Sequence, residues 1–280
     1  MTNSRILAIA FVGMLVSTVC VAVGYNPPIQ DTASADNDSA ATQQVSASPL
    51  IGAEKLKELI DSGQSNLRIL EPSKSLKAYR KGHIPSAFYL HWVDDMINPK
   101  DVERYTNLDA EQFAKLVNKL GINKDTQIVI YDRMSSRLST RLFWTFKYFG
   151  HDQVRILDGG FKAWGSQYRL SAETPDTPVA AESEFAVQMR TELLAEIKFV
   201  RDHLDDSNVR FIDGRPTDQY TGKDFGKVFH TGKPHRNKGH IPEAVNVFWK
   251  DNFQPNGTFK SIPEHANCML TLASNRTNAL

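Results

Sequence analysis

Between residues 50 and 165 the apolar positions alternate between helical spacing and short continuous runs. Leu56, Leu59 and Ile60 fall at helical spacing within Ala53 to Ile60, and Leu67 to Leu70 is a short, mostly apolar strand. Asp109 stands where an N-cap belongs, ahead of a helix whose face is Phe113, Leu116, Val117 and Leu120. Gln127 to Tyr131 is β-rich, Arg137 to Phe149 is a long aromatic-bearing helix pattern, and Val154 to Leu157 is a strand closing on Asp158-Gly159-Gly160, which reads as a turn. Short apolar strands joined by helices predict an α/β domain, a parallel sheet covered by helices on both faces.

The periodicity lapses from Ser171 to Ser183, a Pro- and Glu-containing stretch that reads as a linker, and then restarts. Glu192 to Leu204 is amphipathic, Val209 to Ile212 and Ala244 to Phe248 are strand-like, and Asn256-Gly257 signals a turn. The restart is a repeat. Lys81-Gly82-His83-Ile84-Pro85-Ser86-Ala87 and Lys238-Gly239-His240-Ile241-Pro242-Glu243-Ala244 are nearly the same seven residues, each followed by an apolar run. The expected layout is a first domain over 49–170, a linker over 171–190 and a second copy over 191–280.

Ahead of both copies, Arg5 precedes an uninterrupted run of apolar and small residues from Ile6 to Gly24, the pattern of a signal peptide or an uncleaved anchor over 1–24. The expected destination is export to the periplasm, with membrane contact only through that leader. Residues 25–48, rich in Asp, Ser, Ala, Thr and Gln, read as a solvated tether.

Composition narrows the partners. With 33 basic and 32 acidic residues the formal net charge is +1 and no basic stripe occurs, so a nucleic-acid partner is excluded. The two cysteines, Cys20 in the leader and Cys268 near the end, support neither a disulfide framework nor a thiolate zinc site. His230, His235, His240 and His265 lie in loops without carboxylate or thiolate partners, and no metal is expected. No Gly-rich phosphate loop opens a helix, so no cofactor is expected.

Together these motifs resemble the tandem rhodanese-type sulfurtransferases. In the first half the likeness rests on Gly82-His83-Ile84-Pro85 with Ala87, on Tyr131-Asp132, and on Leu157-Asp158-Gly159-Gly160-Phe161 with Trp164. In the second it rests on Ile212-Asp213-Gly214-Arg215 and on Gly239-His240-Ile241-Pro242 with Ala244, Asn246 and Trp249. The resemblance implies two rhodanese-like domains. It also implies a cysteine that takes sulfane sulfur from thiosulfate or 3-mercaptopyruvate as a persulfide and passes it to cyanide or a thiol. Such a cysteine sits in a loop of backbone N–H groups at a helix start, in the second domain only. Here Asp132 stands at the first-domain loop position, so the first domain is expected to be non-catalytic. Its Arg133-Met134-Ser135-Ser136-Arg137 stretch could still hold an anion, Asp132's own carboxylate included. Arg215 matches the position of a substrate-gripping guanidinium, with an ion pair to a nearby acid as the alternative. By the same likeness His83, Pro85, His240 and Pro242 form structural turns; Trp144, Trp164 and Trp249 read independently as core or interdomain packing.

The second copy departs from that pattern after Glu264. Carried over from the first repeat, the interval from signature to loop passes Leu280, so the second domain is expected to be incomplete, without the nucleophilic cysteine. Back-translation of Ala266 to Leu280 one base earlier permits a helix–turn string like Leu116 to Asp125, pointing to a shifted reading frame near His265. As written, the chain is expected to be inactive. The competing reading is a non-catalytic anion- or protein-binding module. A phosphatase of the related cell-cycle type would need a loop of Cys, five residues and Arg, which does not occur.

Overall fold

Strand and helix alternate along the first repeat as the periodicity anticipates. The computed structural model describes residues 10–12, 19–23, 48–100, 106–175, 185–227, 232–235 and 237–261. Two short antiparallel strands come first, β1 (Ala10–Val12) and β2 (Val19–Val23). The first repeat then runs β3 (Leu50–Ile51), α1 (Ala53–Asp61), β4 (Leu67–Ser73), α2 (Leu76–Lys81), β5 (Ala87–His91), α3 (Ala110–Lys119), β6 (Gln127–Ile130), α4 (Arg137–Tyr148), β7 (Val154–Leu157) and α5 (Gly160–Gly165).

Its five strands are all parallel, in the order β3-β7-β6-β4-β5. Alternation along each strand sorts the core into two layers. Leu70, Ile128 and Ile130 face α3 and α4, meeting Phe113, Val117, Leu138 and Leu142. Ile69, Val129 and Leu157 face the other way, toward Leu56 of α1 and Trp164 of α5. A reciprocal capping box starts α3: Asp109 Oδ1 accepts from the Gln112 N–H and Gln112 Oε1 from the Asp109 N–H, both at 2.9 Å.

The second repeat contains α6 (Ile197–Asp202), β8 (Val209–Asp213), α7 (Thr217–Tyr220) and β9 (Val245–Asn246). Its sheet differs from the fully parallel one expected. The order is β1-β2-β8-β9, with only the β8–β9 pair parallel, because the first two strands come from the N-terminal residues and run antiparallel. Val19–Val23, inside the run read as a leader, thus lies along β8. The 192–204 helix pattern resolves into a 3-10 turn at Thr191–Leu193, an extended Leu194 and the short α6. The expected strand over 244–248 is only two residues long, and Ala244 closes the signature turn through its N–H to the Ile241 carbonyl, as Ala87 does to that of Ile84.

The linker expected from residue 171 is partly structured. Ser171 exchanges both backbone hydrogen bonds with His83 at 2.8 Å, and Phe185 packs into the first core. His230, His265 and Cys268 lie outside the described residues.

Candidate active-site loop and its second-repeat counterpart

The loop after β6 leaves the sheet at the C-terminal ends of the strands, where the strand order reverses: β5 lies on one side of β4 and β6 on the other. Open α/β sheets bind ligands at such a switch point. Asp132 opens the loop and is only 2% exposed. Its Oδ1 accepts the N–H groups of Met134 at 2.6 Å and Ser136 at 3.0 Å, and its Oδ2 those of Leu138 at 2.8 Å and Ser139 at 2.7 Å. Four converging N–H groups at the start of α4 form an anion cradle, and the occupant is the chain's own carboxylate. The wrap requires left-handed backbone at two successive serines, Ser135 (φ 55°) and Ser136 (φ 62°).

Gly160 closes the loop from β7. The Phe161 N–H donates to the Asp132 carbonyl at 3.1 Å, and a Cβ on Gly160 would stand 2.9 Å from that oxygen. With Gly160 at φ +56°, both space and backbone exclude other residues. Asp158-Gly159-Gly160, anticipated as a turn, is also the start of α5.

Arg133 ties the loop down. Its Nε donates to Glu71 Oε1 at 2.7 Å, its Nη2 donates to the Gly82 carbonyl, and its guanidinium lies 3.4 Å above the Phe161 ring. Glu71, fully buried at the end of β4, also accepts from the Tyr131 hydroxyl, which in turn accepts the Ile84 N–H. Burial, then the adjacent Glu71 charge, raises the Tyr131 phenol well above its ordinary value, so it stays a donor. Arg137 points toward the second repeat, its guanidinium 5.3 Å from the Trp249 ring centre, and burial pulls it below the usual guanidinium range. A cavity of about 200 Å³ opens beside the loop, lined by Asp132, Arg133, Ser135, Ser136 and residues 159–162, and closed from the second repeat by Asn256 and Gly257.

The repeated signature builds one device twice. Tyr79 stacks on His83 at 3.9 Å and Tyr220 on His240 at 3.7 Å, and each tyrosine hydroxyl donates to the carbonyl of the alanine closing the turn, Ala87 or Ala244. Burial raises the Tyr79 phenol to about 12. His83 is fully buried, its Nδ1 2.9 Å from the Tyr79 carbonyl oxygen and its Nε2 3.0 Å from that of Glu173. His240 keeps the first contact, with the Tyr220 carbonyl at 2.8 Å, but is exposed. Both imidazoles contact backbone.

Comparison with known proteins decides the family. The rhodanese-like domain family model matches residues 52–167 and 196–275. This chain belongs to the rhodanese family. It is 32% identical over 217 residues to a Mycolicibacterium smegmatis protein named for thiosulfate sulfurtransferase activity, with 74% of each chain covered. It is also 32% identical over 204 residues to the sulfur carrier protein TtuD of Thermus thermophilus, covering 71% of this chain and 69% of the relative. SseA of Escherichia coli, a 3-mercaptopyruvate sulfotransferase, shares the fold at a TM-score of 0.65 and 23% identity, over 78% of this chain and 81% of SseA. The second rhodanese match runs to residue 275, past the point where the sequence pattern was read as departing from the family.

Within this rhodanese framework the predicted positions form two groups. Asp132, Arg133, Ser135 and Ser136 line one cavity, with Arg137 beside them. His83 lies between the two turn residues that the Arg133–Glu71 clamp engages, Gly82 through its carbonyl and Ile84 through its N–H to Tyr131, and Pro85 follows them. Arg215, His240 and Pro242 cluster separately, Arg215 just past the end of β8 and the other two in the turn ahead of β9. Arg215 takes the ion-pair arrangement: its Nε donates to both Asp213 oxygens at 3.0 and 2.9 Å, and its Nη2 to Asp213 and to the Gly239 carbonyl. Sequence reasoning overlooked Glu71 and the two signature tyrosines, and read Asp158 only as part of a turn, not as the acceptor of the Phe259 N–H. The Tyr–His separation is 4 residues in the first repeat and 20 in the second, which hid the shared stack.

Proposed function

We propose that this chain follows the rhodanese plan for moving sulfane sulfur from a small anionic donor, thiosulfate or 3-mercaptopyruvate, to a thiol or cyanide, with its first domain structural. Family membership supports the chemistry, and the Asp132 cradle carries the assignment of roles. In that chemistry a thiolate attacks the donor's terminal sulfur; the S–S bond of thiosulfate breaks and sulfite leaves, or the C–S bond of 3-mercaptopyruvate breaks and pyruvate leaves, its enolate carbon taking the thiol's proton. The acceptor then takes the terminal sulfur of the persulfide and the thiolate returns. A carboxylate cannot perform the first step. Asp132 already satisfies all four N–H groups that would hold an anionic sulfur. Cys20 lies in β2, and Cys268 lies outside the described residues. The alternative of a non-catalytic binding module draws on the same observation, a cradle that carries its own anion.

The deciding experiment is thiocyanate formation from thiosulfate and cyanide by the 280-residue chain beside a Cys268→Ala variant. Equal background rates are expected, which leave the first domain structural and this chain without its nucleophile. A rate lost in the variant would make Cys268 the nucleophile and overturn the inactive reading.

A further inference from the structure

Strand register aligns the two repeats residue by residue. Leu70 pairs with Phe88 and Glu71 with Tyr89 in the first, as Ile212 pairs with Val245 and Asp213 with Asn246 in the second. Glu71 and Asp213 are therefore equivalent, and both are buried acids at 0% and 1% exposure. Gly82 and Gly239 are equivalent too, each preceding the signature histidine. In both repeats one arginine bridges the acid and the glycine carbonyl, yet the two arginines come from different places. Arg133 reaches Glu71 and Gly82 from the loop after β6. Arg215 reaches Asp213 and Gly239 from just past the end of β8 itself. Side-chain length fits the difference: the longer glutamate meets an arginine from the loop after β6, and the shorter aspartate meets the fork of a residue two positions on, whose N–H it also accepts at 2.9 Å.

We infer that Arg215 is a positioning residue that clamps the Gly239–Pro242 turn onto β8, the counterpart of Arg133 rather than a guanidinium committed to the sulfur donor. The fork is spent: Nε and Nη2 are both engaged, the side chain is 14% exposed, and only Nη1 has no bond among the described residues. Asn246 braces the same point, its Nδ2 donating to the Asp213 and Arg215 carbonyls at 2.9 and 2.8 Å. The consequence is a difference between the repeats. In the first, clamping the turn also ties down the loop that begins at Asp132. In the second, acid and carbonyl are already filled from β8, so the turn is set independently of any loop packed against it. The inference rests on this geometry and stands apart from the sulfur-transfer reading.

The test measures hydrogen exchange at residues 239–249, the His240 ring proton shift, and thiosulfate affinity in the full chain carrying Arg215→Gln, Arg215→Lys, Asp213→Asn or the Arg215→Gln/Asp213→Asn pair. Amide protection of Ile69 and Val129 confirms that the first domain remains folded in each. Expected are roughly tenfold faster exchange at Ala244 and Val247 and a displaced His240 signal in Arg215→Gln. Asp213→Asn should give the same change and the double variant no more than either, because the pair acts as one unit. Arg215→Lys should rescue only in part, since an ammonium cannot fork. Thiosulfate affinity, weak or strong, should vary less than twofold. A tenfold loss of thiosulfate affinity in Arg215→Gln with exchange unchanged would overturn the inference, as would additive effects in the double variant.

Discussion

The Asp132 carboxylate accepts the backbone N–H of Ser139, seven residues further along, at 2.7 Å. With the three other N–H groups it makes the loop and the first turn of α4 one hydrogen-bonded unit around a buried charge. Removing that charge leaves four donors without their buried acceptor. Asp132→Ala is therefore expected to cost about 3 kcal/mol and Asp132→Asn less, since one amide oxygen can still accept two of the four. Urea denaturation read by tryptophan fluorescence checks this. A loss below about 0.5 kcal/mol for Asp132→Ala would mean that water replaces the carboxylate without penalty.

The same cradle predicts what a thiol would do in place of the carboxylate. In Asp132→Cys, made in a Cys20→Ser/Cys268→Ser background, the N–H groups of residues 134, 136, 138 and 139 would favour the thiolate. Alkylation by iodoacetamide at pH 6, followed by intact mass, should run at least about tenfold faster than for an ordinary thiol of pKa about 8.5. An unaltered rate would show that the wrap depends on two oxygen acceptors and relaxes around one sulfur.

What the sequence revealed and what it concealed divide along the range of the interactions. The α3 cap was legible because Asp109 and Gln112 are three residues apart, and the β6 and β7 strands because their runs are local. Tyr131-Asp132 could be flagged as a strand end, but not the four N–H groups turning back onto it, which depend on left-handed Ser135 and Ser136. Serine gives no such signal. Glu71 looked like an unexceptional polar residue in an apolar strand until Arg133 arrived from 62 positions away. Arg215 was noticed for its motif, yet its geometry depends on Gly239, 24 residues on. The leader-like run has the composition of both an exported segment and a strand, and only backbone pairing distinguishes the β2 arrangement.

On the opposite edge of the first sheet, His151 sets a pH dependence. It is buried, stacked on Phe185 with ring centres 5.4 Å apart, and its Nε2 lies 3.1 Å from the Asn123 carbonyl oxygen. Burial lowers it to about 4, against the weaker opposing pull of the Asn123 carbonyl and of Asp152 and Asp125; Lys147 adds to the lowering. The unfolded chain, near 6.5, binds more protons than the native state between these values. Its contribution is therefore complete above pH 6.5 and is lost as pH falls toward 4, by at most about 3 kcal/mol. Denaturation midpoints from pH 7 to 4 should fall more steeply for the native chain than for His151→Gln. Parallel curves would assign the acid sensitivity to other groups.

One side chain joins the repeats at the edge of the candidate site. Asp158 Oδ1 accepts the Phe259 N–H at 2.8 Å, and the Thr258 methyl lies 3.4 Å from where a Cβ on Gly159 would stand. These contacts place the Asn256-Gly257 turn over the Asp132 cavity. Removing the acceptor should free the turn without touching either core, because Asp158 is partly exposed and water can take over the N–H. Asp158→Ala is therefore expected to cost less than about 1 kcal/mol in overall stability while speeding exchange of the Phe259 amide several-fold. Gly159→Ala acts on the same contact by crowding, since its Cβ would approach Ala163 at 2.7 Å at a φ of +74°, and it should destabilise the start of α5 as well. Hydrogen exchange separates the two: faster exchange confined to residues 252–261 in Asp158→Ala, but spread into 160–165 in Gly159→Ala. Protection at Phe259 that survives Asp158→Ala would show that the turn is held by Phe253–Phe259 packing alone, whose ring centres are 4.5 Å apart.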